Sequence, residues 1–128
     1  MRPTGKLHLG HYIGVLKNWK KLQNEYDSFF FVADWHALTT KFDEDIDLKA
    51  QSIELIKEWI ASGIDPEKAT LFIQSEIKEH AELYLIFNMI TPVSWLERNP
   101  TYKDAMQQEE YKKKNNAGFL TYPVLQTA

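Results

Sequence analysis

The residues best suited to chemistry stand at the start of the chain, in Arg2-Pro3-Thr4-Gly5-Lys6-Leu7-His8-Leu9-Gly10-His11, where a Pro-Thr-Gly turn and two imidazoles precede an amphipathic stretch. A helix start offers backbone N–H groups without intrahelical partners and the positive end of the peptide dipole, so an anion there needs no dedicated basic side chain. Gly5 and Gly10 remove side chains where a nucleotide would approach the backbone closely. His8 and His11 are three residues apart, close enough on one face of a first helical turn for both rings to reach one phosphate group.

Paired histidines at a helix terminus have two plainer uses, capping the helix and binding zinc. No third ligand at a metal-binding spacing accompanies them, and a Thr-Gly turn with glycine between the histidines suits a nucleotide better than a metal. The segment therefore predicts a phosphate cradle in which the imidazoles donate hydrogen bonds to developing charge. No metal ligands are predicted.

The elements that must position this cradle read as alternating helix and strand. Ile13, Leu16, Trp19 and Leu22 recur every three residues from Gly10 to about Glu25, while Lys17, Lys20 and Lys21 fall elsewhere, which predicts an amphipathic helix. The unalternating apolar run from Ser28 to Asp34 predicts a strand covered on both faces, as in a parallel sheet. A second helix is expected over Ile46 to Ser62, with Ile46, Ile53, Ile56 and Ile60 on its apolar side and a left-handed cap at Gly63. After a turn at Asp65-Pro66, Thr70 to Gln74 predicts a second buried strand. A helix carrying Leu83, Ile86, Phe87 and Ile90 follows from about Glu79 and should end at Pro92. Within the polar, lysine-rich stretch from Val93 to Asn116, Tyr102 to Lys114 is expected to be helical. The alternation argues for crossovers on a parallel sheet.

Of the 128 residues 44% are apolar and 26% charged, the balance of a soluble globular domain. A net charge of -3 gives no global attraction to a polyanion, so a nucleic-acid contact would need a local basic patch. The absence of cysteine excludes disulfides and thiolate metal sites and agrees with a reducing cytoplasm. No stretch reaches the ~18 uninterrupted apolar residues of a membrane span, and no signal peptide opens the chain. A cytoplasmic protein without a membrane partner is expected.

His8-Leu9-Gly10-His11 has the form H-x-G-H, the signature of class I aminoacyl-tRNA ligases and related nucleotidyltransferases. The wider segment from Pro3 to Gly14 resembles the opening of bacterial tryptophan-tRNA ligases nearly throughout. Five further blocks resemble that family in its order: Asp34-Trp35-His36-Ala37-Leu38-Thr39, Gly63-Ile64-Asp65-Pro66, Phe72-Ile73-Gln74-Ser75, Trp95-Leu96-Glu97-Arg98 and Gly118-Phe119-Leu120-Thr121-Tyr122-Pro123-Val124-Leu125. The resemblance implies an α/β fold, a Rossmann-like parallel sheet with flanking helices. It also implies that Arg2, Pro3 and Thr4 line an ATP site, Arg2 standing where many relatives have glutamine. Gly10 and His11 would meet the nucleotide and His8 would stand beside its phosphates, the two histidines forming the catalytic pair. Ala33 and His36 would border an indole pocket, and Tyr122 and Gln126 would face the amino acid. Taken alone, Ala33 is strand packing, His36 a satisfied core histidine and Tyr122 a buried aromatic with its hydroxyl paired. Lys103, Lys112, Lys113 and Lys114 would form a basic loop over pyrophosphate, but a lysine run is more often a solvated face, and they stand outside the catalytic set.

The activity this implies joins tryptophan to the α-phosphate of ATP, with magnesium accompanying the nucleotide, and then passes the aminoacyl group to tRNA(Trp). No tightly bound cofactor and no protein nucleophile are needed, and the parent enzyme would be a homodimer. Against the family pattern, Met1 already sits at the turn, so the first strand is expected to be missing unless Met1 is internal to a longer protein. The second half of the nucleotide fold, the K-M-S-K-S loop and the anticodon-binding domain are also expected to be absent. The expected organisation is one partial catalytic domain over residues 1–128 with a helical insertion at about 78–115. Such a truncated product would bind ATP weakly at best, and the edges of an unfinished sheet would favour association. Three rivals remain at this level: a tyrosine-tRNA ligase, a non-catalytic nucleotide-binding fragment, and an adenylyltransferase of cofactor synthesis. The last would not match the later blocks.

Overall fold

In the computed structural model, which describes residues 1–128, the first helical stretch forms in three consecutive parts: α1 (Leu9–His11), a π turn (Tyr12–Leu16) and α2 (Lys17–Leu22). In the π turn the Lys17 amide reaches the Tyr12 carbonyl, five residues back instead of four. The extra residue rotates the helical face. Leu16 is therefore buried, whereas Ile13, expected beside it, is 60% exposed.

Met1–Asp34 and Asp45–Glu76 form one unit, and Trp35–Glu44 and Ile77–Ala128 form another. In the first unit β1 (Ser28–Val32) and β2 (Ala69–Ile73) pair in parallel, from Ser28 opposite Ala69 to Val32 opposite Ile73. The parallel sheet is as expected, with each strand ending a residue or two early. The expectation that both faces are covered fails. Phe30 and Val32 are buried, but alternation turns Phe29 to the other face, where it is 62% exposed.

The strands are joined through α4 (Leu48–Ala61), whose N-cap is Asp47, the carboxylate accepting from the Ala50 amide at 2.9 Å. Its buried face is Ser52, Leu55 and Trp59. Ile53 and Ile60 point outward, 43% and 45% exposed, because Leu55 and Trp59 take the core side. The helix ends as its glycine predicts. Gly63 has φ 102°, its amide donates to the Ile60 carbonyl at 2.9 Å, and the Ile64 amide donates to that of Trp59 at 3.1 Å. Trp59 and Ile64 then meet in a core with Leu16, Phe30, Val32, Leu55 and Ala69. Trp19 stacks flat on Phe30 at 4.2 Å and meets Trp59 edge-on at 5.1 Å. Burial of each large apolar side chain here contributes about 1.5–3 kcal/mol. Buried Gln23 is satisfied at both ends, donating to the Gly63 carbonyl at 3.1 Å and accepting from the Asp65 amide at 2.9 Å.

The second unit is helical: α3 (Asp34–Lys41, its first residue in the first unit), α5 (Glu79–Ile90), α6 (Val93–Leu96), α7 (Pro100–Ala105), α8 (Glu109–Lys113) and α9 (Ala117–Thr127). α5 stops before Pro92, as expected. The single helix expected over Tyr102 to Lys114 is instead α7 and α8. Asn99 and Pro100 start the former, and extended Gln108 with Glu109 and Glu110 in the first turn starts the latter. Asn116 caps α9, accepting from the Phe119 amide at 2.9 Å, while its Nδ2 donates to the Thr39 carbonyl at 3.3 Å. Tyr84 and Thr121 bond through their hydroxyls at 2.5 Å, linking α5 to α9.

Candidate active site

The opening segment is anchored at the carboxyl end of β1. The Met1 amine donates to the Phe31 carbonyl at 2.7 Å and the Ala33 amide donates to the Met1 carbonyl at 2.7 Å, which makes Met1 a parallel rung on the edge of β1 that β2 leaves open. Burial, aided by the charge of Arg2, pushes the Met1 amine down to about 6. At the same end, the Asp34 carboxylate accepts the Ser75 amide at 3.1 Å and ties the exit of β1 to that of β2. Ligands of open α/β sheets bind beyond these carboxyl ends.

From there Arg2 and Thr4 are exposed and Pro3 is fully buried. Gly5 has φ 123°, a conformation that L side chains rarely adopt. Leu7 packs partly against the core, and its amide donates to Glu58 Oε2 at 3.0 Å. The histidines follow.

His8 caps the helix: its Nδ1 accepts the Gly10 amide at 3.0 Å. His11 reciprocates, its Nδ1 accepting the His8 amide at 3.3 Å, and the ring centroids lie 4.0 Å apart. Each ring thus spends Nδ1 as an acceptor. The hydrogen bonding assigns both rings the tautomer with the proton on Nε2, leaving two adjacent N–H donors. The Gly10 amide is taken by His8, and the His11 and Tyr12 amides by the His8 carbonyl at 2.9 and 3.3 Å, so these three amides are spent within the helix start and the imidazoles add their Nε2–H groups as donors. A β-carbon on Gly10 would lie 2.8 Å from His8 Cε1, so the cap itself also requires glycine there. Capping, the plainer use of such a pair, is what fixes the donors.

Arg2, Pro3, Thr4, His8, Gly10, His11 and Ala33 all belong to the first unit. Ala33 is buried, directly after β1. His36, Tyr122 and Gln126 belong to the second. His36 is half-buried in the first turn of α3. Tyr122 is half-buried on α9, its hydroxyl donating to Asn99 Oδ1 at 3.5 Å, with exposed Gln126 one turn further on.

Two of the four lysines are committed to carboxylates. Lys112 bonds Glu109 at 2.5 Å, and Lys114 meets Asp43 at 3.1 Å and Glu44 at 3.5 Å. The Lys114 hydrogen bond holds Asp43 below its ordinary range, the Lys41 hydrogen bond does the same for Glu44, and the Asp43 hydrogen bond raises Lys114. No three His, Cys, Asp or Glu side chains gather to hold a metal ion. Sequence reasoning passed over Glu58, Asp34 and Asn116. Asn116 stands three residues before Phe119 as a helix N-cap would, whereas Glu58 bears no local signal.

The family model for class I tRNA synthetases (W and Y) matches residues 1–128. The chain is 57% identical over its whole length to tryptophan–tRNA ligases of Ralstonia nicotianae and Thermotoga maritima, covering 32% and 39% of those proteins. It spans about a third of the length of these curated relatives. Among solved structures, the tryptophanyl-tRNA synthetase of Campylobacter jejuni matches with a TM-score of 0.82 at 36% identity, over 98% of this chain and 38% of that one. A structure of the same Campylobacter enzyme complexed with ADP and tryptophan matches with a TM-score of 0.83 at 37% identity over the same shares.

Proposed function

We propose that this chain, which belongs to the class I tRNA synthetase (W and Y) family, forms the ATP-facing and tryptophan-facing part of a tryptophan–tRNA ligase. One observation carries the reading: the reciprocal cap holds His8 and His11 with both Nε2–H groups free as donors, in an opening segment rooted at the carboxyl end of a parallel sheet.

In the proposed reaction a tryptophan carboxylate oxygen bonds to the α-phosphorus of ATP as the bond to the bridging oxygen breaks. Pyrophosphate leaves, and the tRNA(Trp) terminal ribose later displaces AMP. Such a displacement is accelerated by alignment and by fixed dipoles aimed at phosphate charge. His8 and His11 supply the dipoles as catalytic residues, and Arg2, Pro3, Thr4 and Gly10 shape the nucleotide's seat. Pro3 does so from within. Ala33 and His36 border the indole, and Tyr122 and Gln126 face the amino acid. Magnesium enters as part of the nucleotide substrate. The Campylobacter complex with ADP and tryptophan supports this ligand pair. Tryptophan is preferred to tyrosine because the relatives matched across the full chain carry the tryptophan name.

Residues 78–115 are read as a helical insertion in the catalytic domain, in line with the run of helices from α5 to α8. α5 and α6 leave Leu85, Ile86, Met89, Ile90, Val93 and Trp95 54–74% exposed, an apolar face that supports the homodimer. No helix is long and apolar enough to cross a membrane. A protein acting on tRNA and ATP is read as cytoplasmic. Amino-acid-dependent exchange of pyrophosphate into ATP by the complete protein tests the reading. Exchange with tryptophan is expected, and exchange with tyrosine alone overturns it.

A further inference from the structure

Between Arg2 and His8 the backbone makes one long-range hydrogen bond, from the Leu7 amide to Glu58 Oε2 at 3.0 Å, across 51 residues of chain. The bond sits one residue before the ring that caps the helix. Nothing else grips the middle of the segment. Thr4 turns back only onto the Arg2 carbonyl at 3.1 Å, and a β-carbon on Gly5 would meet no atom within 4 Å. Beneath Gly5 and Lys6 lies a cavity of about 300 Å³ whose far wall is α4, with Gln51, Glu54, Leu55 and Glu58. The loop thus bridges open space between buried Pro3 and the Leu7 tether. Glu58 is half-buried beside core residue Trp59, and its backbone is fixed in the last turn of α4, its carbonyl accepting the Ser62 amide at 3.0 Å.

We propose that Glu58 is a positioning residue for the imidazole pair: by holding the Leu7 amide, its carboxylate fixes where His8 and His11 present their Nε2–H donors. The inference rests on the functional reading above. A carboxylate accepting a backbone amide is a charge-assisted bond, stronger than a neutral one. Reach matters as much as charge, since the glutamate spans the rim of the cavity and an aspartate carboxylate falls short by one methylene.

The test uses the full chain with Glu58→Gln, Glu58→Asp and Glu58→Ala. Glutamine keeps reach and an acceptor, aspartate keeps charge without reach, and alanine keeps neither. Two readouts are taken: hydrogen exchange at the Gly10 amide, which reports the His8 cap, and calorimetric titration with MgATP. Loss of one charge-assisted hydrogen bond should speed Gly10 exchange and weaken MgATP binding about tenfold in the aspartate and alanine variants. The glutamine variant, which keeps reach but exchanges a charge-assisted bond for a neutral one, should fall between the parent and alanine, about threefold below the parent. Exchange at the Gly63 and Ile64 amides, which close α4, should be unchanged in every variant, since a merely structural role would move it too. The proposal is overturned if Gly10 exchange in the aspartate variant matches the parent, or if glutamine behaves like alanine. Should the parent chain take up no MgATP, the functional reading fails, while Gly10 exchange still decides the role of Glu58.

Discussion

The His8 ring lies so close over the Gly10 backbone that a β-carbon at position 10 would stand 2.8 Å from Cε1 and 2.9 Å from Nδ1. Gly10→Ala must therefore displace the ring and break the cap. Losing the cap costs about 0.5–2 kcal/mol, and replacing glycine by alanine in a helix returns about 1 kcal/mol. Stability should thus change by no more than about 1 kcal/mol in denaturant titration, while MgATP affinity falls about tenfold with the misplaced donor. Unaltered affinity would mean that the ring position is irrelevant to the nucleotide.

Capping and ligand contact at His8 can be separated. Asparagine is among the best N-cap residues, so His8→Asn keeps an acceptor for the Gly10 amide and should hold stability within about 0.5 kcal/mol. It has no Nε2–H at the reach of an imidazole. Adenylate formation by the complete protein should drop about a hundredfold, the scale of a lost donor to developing charge. Retained activity would reduce His8 to a cap.

Gly63→Ala should destabilise the chain by about 1–2 kcal/mol, because φ 102° is strained for any side chain. The added carbon also meets Lys20 Cε at 2.7 Å, but that chain is flexible and can swing aside. Thermal unfolding in a Lys20→Ala background should show the same loss. Disappearance of the penalty there would put the cause in the contact and not in the backbone.

In the 128-residue chain with Met1 as its first residue, the buried Met1 amine makes stability depend on pH below 8. The unfolded chain takes up this proton near its ordinary value of 8.0 and the folded chain only at about 6. Stability is therefore greatest above pH 8, declines between 8 and 6 and levels off below 6. The drop should be roughly 2 kcal/mol, allowing for partial solvent access. An acetylated amino terminus, which keeps an N–H for the Phe31 carbonyl and cannot titrate, should lose this slope in urea titrations across that range.

How far the sequence carries can be seen residue by residue. The apolar runs locate both strands, and the Asp-Pro and glycine signals locate the end of α4, because those preferences act within a few residues. Faces are less legible. Ile13 is exposed because of a π turn that no periodicity announces, and Ile53 and Ile60 yield the core to Leu55 and Trp59, a choice settled only once a sheet is opposite. α3 and α9 escaped notice because one follows a strand without a break and the other contains Pro123. At the site, the spacing of His8, Gly10 and His11 was readable since capping is local. The tether from Glu58 and the rung made by Met1 join residues remote in the chain, so neither leaves a trace in its own neighbourhood.

Every rung between β1 and β2 joins positions as far apart as Ser28 and Ala69. No hairpin can nucleate such a ladder, so the whole of α4 and its flanking turns must be gathered before the first rung forms. Helical segments can assemble early on this chain, and the sheet must close late. The platform beneath the imidazoles is thus among the last parts to be completed, and a nucleotide that needs it can be held only once that ladder has formed.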